Sequence, residues 1–185
     1  MRRLVWTITC LVAVLWPSGR MGAAAGYPLS LTAKAQATQG QTAITSTINI
    51  YVDRLMEPSR RTRVLDGLKY NGYQGFMNAL RPLPAIGRVE SQRGRVDLRY
   101  AWETKVENGR RLVLVADKPL FFLTADTAKP RAGYELTVID LVLDDHNTGK
   151  GSMAGAARVK PAPDSGIVLE DFATALVTLT VEPAQ

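Results

Sequence analysis

The chain has 185 residues, a formal net charge of +6, one cysteine and one histidine. That inventory excludes a disulfide framework, a thiolate metal cluster and a zinc site built on several histidines, and it strains any reading that needs a histidine base. The length suffices for one hydrophobic core without covalent staples.

In chain order the first signal is for export. Met1-Arg2-Arg3 is a short positive start, Leu4 to Trp16 is an apolar run, and Pro17-Ser18-Gly19 breaks it. The run is short for a bilayer span, and Ala23-Ala24-Ala25 offers small residues for cleavage after Ala25. The expectation is a cleaved signal peptide over 1–25 and a protein delivered to the periplasm or outside the cell, touching membrane only through that signal. Cys10 would leave with it. The mature chain then carries 20 basic and 17 acidic residues. Charge is uneven: 13 basic face 7 acidic residues from Asp53 to Arg111, and 6 face 10 from Leu112 onward. The early half offers a basic surface, with Arg60, Arg61 and Arg63 outward on a helix. Nothing in the motifs points to nucleic acid.

Residues 26–43 are rich in Ala, Thr, Gln and Ser and read as a flexible leader, followed by a single domain over 44–182. Ile44 to Arg54 alternates and is expected as the first strand. Glu57-Pro58-Ser59 starts a helix, with Val64, Leu65 and Leu68 at helical spacing. Asn71-Gly72 interrupts it. Tyr73, Phe76, Met77 and Leu80 form the stripe of a second short helix, ended by Pro82 and Pro84. Strands only are expected afterwards. Arg95 to Asp117 reads as a central hairpin, with Val96, Leu98, Tyr100, Trp102, Thr104 and Val106 on one face. The Glu-Asn-Gly turn at 107–109 favours a three-residue loop that sets Leu114 opposite Trp102. Tyr134 to Leu143, Lys150 to Lys160, Ile167 to Asp171 and Thr174 to Val181 complete the series.

This order predicts an α+β fold. It is a strongly curved, barrel-like antiparallel sheet of about seven to eight strands, with two short helices inserted after the first. The element order is similar to that of helix-grip lipid-binding folds, except that the chain ends in a strand. The chain also resembles a family of uncharacterised exported bacterial proteins. The resemblance rests on Leu80-Arg81-Pro82-Leu83-Pro84 to Gly87-Arg88-Val89, Leu98-Arg99-Tyr100-Ala101, Val115-Ala116-Asp117-Lys118-Pro119-Leu120, the Tyr134 to Val159 passage and Leu169-Glu170-Asp171-Phe172. It implies export and one small domain, and it brings no assigned activity.

The functional expectation is a non-catalytic domain that binds an apolar or amphipathic ligand between sheet and helices. Tyr73, Phe76, Met77 and Leu80 would lie on one side, with Tyr100 and Trp102 on the other. No cofactor or metal is expected. The alternatives are an envelope scaffold that meets another protein through its basic surface, and a hydrolase or isomerase. The latter would use Asp140, which interrupts an apolar strand, with Arg158 as its partner. His146 sits in turn composition, Asp144 to Gly149, and is a poor candidate for a base.

Overall fold

The computed structural model describes residues 26–39, 41–122, 131–163 and 166–183. The expected signal peptide lies outside them. The elements are β1 (Leu29–Gln39), β2 (Thr42–Val52), α1 (Pro58–Leu80), β3 (Gly87–Ser91), β4 (Gly94–Val106), β5 (Gly109–Ala116), β6 (Leu136–Leu143), β7 (Gly149–Ala162), β8 (Gly166–Phe172) and β9 (Leu176–Glu182). All strand pairs are antiparallel. The order β6-β5-β4-β3-β2-β1-β9-β7 is closed by a further β6–β7 pairing, so eight strands form a complete barrel. β8 pairs with the outer half of β7, beyond the ring.

Two expectations are corrected. The stretch read as a leader carries β1, which pairs with β2 from Leu29↔Val52 to Gln39↔Thr42. Its composition hid a strand of small inward residues, Ala33, Ala35 and Ala37. The helical segment therefore follows the second strand, not the first. It is one continuous element whose two helical arms meet at Gly72. The expected interruption survives as a bend, because Gly72 is non-helical at φ 62° and ψ −156°. The bend is sharp. A Cβ on Gly75 would lie 2.4 Å from the Gly67 carbonyl oxygen. Residues eight apart are separated by roughly 12 Å along a straight helix. The two arms therefore touch where both residues lack side chains. Glu57 is the N-cap with Pro58 in the first turn, and the helix ends at Leu80 before Pro82, as the sequence implies.

The hairpin register also differs from expectation. Val106 pairs with Gly109, Glu103 with Leu112 and Trp102 with Val113. The turn is thus the two-residue Glu107-Asn108, and a bulge lies between Leu98 and Tyr100. Directly paired residues share a face. Leu98 pairs with Ala116, yet Ala101 pairs with Leu114 two residues on. Leu98 and Ala101 therefore face inward, while Tyr100 and Trp102 face outward. The bulge splits what alternation alone assigns to one face.

The registers then define two cores. Inside the barrel, Ala33, Ala35, Ala101 and Ala116 alternate with Ile48, Ile50, Leu98, Leu112, Leu114, Ile139, Leu141, Met153 and Leu179. All of these are 0% exposed. Among the described residues, small and large side chains alternate to fill the cylinder. Outside, Tyr100, Val113, Val115, Leu136 and Val138 are buried as well. α1 covers this wall, in contact with β7 and β4. β5 is buried on both faces, and this is why its sequence Leu112 to Ala116 is apolar throughout.

Candidate functional site

The sequence-proposed ligand residues are brought together, and four of them, Phe76, Met77, Leu80 and Tyr100, form a dry layer. Phe76, Leu80 and Tyr100 are 0% exposed and Met77 is 1%. A cavity large enough for water beside them would show as exposed surface. Tyr73 is pinned at its tip: its hydroxyl donates to Glu135 Oε2 (2.6 Å) and accepts from the Glu135 N–H (3.0 Å). Burial, then the hydrogen bond to Glu135, push the Tyr73 pKa up. Burial pushes Glu135 up in turn, but hydrogen bonds from Tyr73 and backbone N–H groups outweigh it and hold the carboxyl below 4.5. Tyr100 is raised chiefly by burial. Its hydroxyl accepts from Arg61 Nε at 3.3 Å. The Arg61 guanidinium also lies 4.2 Å from the half-buried Trp102 ring. Arg61 is therefore turned inward, away from the expected basic surface. Arg60 and Arg63 remain exposed.

Asp140 faces outward, paired in register with Val113 and Ser152. Both its oxygens accept from Arg111, at 2.8 and 2.5 Å. Its proposed partner Arg158 instead meets Glu170 at 3.6 Å. His146 is exposed on the β6–β7 turn. The turn is organised by Asp144, whose carboxylate accepts from the Thr148 hydroxyl (2.6 Å) and from the N–H groups of Thr148 and His146 (2.9 Å each). Those donors hold Asp144 below 3.8.

One end of the barrel is closed by charge. Arg110 points inward and is 8% exposed. Its Nε lies 3.1 Å from Glu103 Oε2. Tyr27 donates to the same Glu103 oxygen at 2.9 Å. Arg110 also donates to the Asn147 side-chain oxygen and to the Asp144 carbonyl (3.5 Å). Burial, then the bond to Glu103, raise the Tyr27 pKa.

The feature that the sequence did not single out lies where α1 begins. A recess of about 120 Å³ is lined by Leu55, Met56, Leu83, Pro84 and Ile86 together with Arg54, Glu57, Arg60 and Arg99. Met56 and Ile86, 4% and 5% exposed, form its floor. Arg54, Glu57 and Arg60 are exposed on its rim. Backbone bonds fix the walls: Met56 N–H to Ala101 O (3.0 Å) and Asp53 N–H to Ile86 O (2.9 Å). Arg99 is held by Asp117 (2.9 Å) and donates to the Leu83 carbonyl. It also lines a second, more open recess of about 360 Å³ with Arg95, Val96, Asp97, Asp117 and Lys118. A linear signal for this site was weak, because its residues come from three separated segments. Only the Arg density and the LRPLP passage hinted at it.

No family model, curated protein or solved structure matches the chain.

Proposed function

We propose that this chain is a non-catalytic binding domain of the periplasm or cell exterior, and that its ligand is a small amphipathic molecule. One observation carries the reading: a preformed recess with an apolar floor and a charged rim at the junction of sheet and helix. Ligand sites are commonly apolar concavities with a few fixed polar groups. The filled barrel and the dry layer under α1 favour this rim over the Tyr73/Phe76/Met77/Leu80 interface, where a ligand would have to displace core side chains. The test is intact mass measurement under non-denaturing conditions on protein purified from its native compartment. The reading expects a bound small molecule that is lost when Leu83→Trp fills the recess. A bare chain mass, or a ligand retained by Leu83→Trp, would overturn it.

A second reading keeps the chain as an envelope scaffold that meets an anionic partner protein. The exposed Arg54, Arg60 and Arg63 around the start of α1 favour it. Such association weakens with salt. Association that is indifferent to salt would count against it.

A further inference from the structure

We propose that the recess at the start of α1 selects an anionic head group, a carboxylate or phosphate carrying a short apolar body, and that Arg54 is its principal anchor. This rests on the amphipathic-ligand reading and specifies its charge.

Three features converge. First, one of the three arginines that line the recess is left without a counter-charge. Arg60 is paired with Glu57 at 3.1 Å and Arg99 with Asp117 at 2.9 Å. Arg54 has no ion pair or side-chain hydrogen bond among the described residues. Second, the one carboxylate on the rim, that of the N-cap Glu57, is taken up by Arg60. An anion in the recess would therefore meet the Arg54 guanidinium with Glu57 already neutralised beside it. Third, the floor is apolar, with Met56, Leu83 and Ile86 beneath the rim. Bulk phosphate or chloride would leave that surface unused. The recess is small, so the head group and a few methylene units fit and a long chain would extend outward.

Guanidinium groups bind carboxylates and phosphates through paired N–H donors, while an alcohol offers them no charge. Three probes separate the contributions: hexanoate, hexan-1-ol and inorganic phosphate, each titrated calorimetrically into the purified protein at low salt. Hexanoate is expected to bind about tenfold more tightly than hexanol, a charge-assisted contact being worth at least that ratio. It is also expected to exceed phosphate, through the apolar floor. Arg54→Gln should remove most of the preference for hexanoate over hexanol. Arg63→Gln, which does not line the recess, should leave it unchanged. Arg54 is exposed, so its replacement leaves the fold intact. Equal binding of hexanoate and hexanol would overturn the anionic selection while leaving the amphipathic reading standing. Phosphate binding as tightly as hexanoate would overturn the role of the floor. Binding of none of the three would overturn both.

Discussion

Tyr73 shows how a single hydroxyl ties layers together. It reaches from α1 to Glu135, at the approach to β6, with one bond donated and one accepted. Tyr73→Phe removes both and is expected to cost about 1–2 kcal/mol, measured by urea denaturation at neutral pH. The pH dependence follows from Glu135. Its folded pKa lies below 4.5. Its stabilisation is therefore complete above 4.5 and is lost as pH falls through the lower, folded value. In Tyr73→Phe part of that acid-dependent loss should vanish. An unchanged difference in stability between pH 7 and pH 3 would contradict the assignment. Arg110 is the converse case, a charge buried by design of the barrel end. Arg110→Ala leaves Glu103 without its counter-charge, at a cost of about 3 kcal/mol. Removing both charges, Glu103→Leu with Arg110→Met, should be milder than Arg110→Ala alone. A double variant less stable than the single one would refute this coupling.

At the scale of elements, glycine decides the shape of α1. Gly72 supplies the positive φ of the bend, and Gly67 and Gly75 let the arms meet. Gly75→Ala would put a methyl 2.4 Å from both Asn71 Cβ and Gly67 O. We expect a loss of about 1–3 kcal/mol from this overpacking, with far-ultraviolet dichroism little changed. A neutral substitution would mean that the arms do not touch. This bend was half legible in the sequence. Asn71-Gly72 marked an interruption, but the near-contact of Gly67 and Gly75 has no linear signature. Strand identity was mostly readable, because Ile44 to Val52, Leu136 to Leu143 and Leu176 to Val181 alternate or run apolar. β1 was missed because alanine and threonine weakly signal a strand, although small inward residues are what a filled barrel needs there. The face assignment of Tyr100 and Trp102 failed at the bulge after Leu98, since period-2 counting cannot register one extra residue. The recess was least legible of all. Arg54, Leu83 and Arg99 come together only through the β3–β4 pairing and the return of the chain after α1.

The whole molecule is a barrel with a solid interior and a second apolar layer outside it, covered by one bent helix. Both layers are tightly packed among the described residues, and a recess opens at the junction between them. There the chain places the start of α1, the Glu57–Arg60 pair, an arginine without an ion pair and an apolar floor around one recess. That position is fixed by backbone hydrogen bonds from Met56 and Asp53, so a ligand would find it preformed rather than induce it. The most direct test is an amide-resolved nuclear magnetic resonance titration of the isotope-labelled protein with hexanoate. The account predicts saturable shifts confined to Arg54, Met56, Arg60, Ile86 and Arg99, with Phe76, Leu80 and Tyr100 unmoved. Shifts centred on Phe76, Leu80 and Tyr100, or on the barrel interior around Leu114 and Ile139, would contradict it.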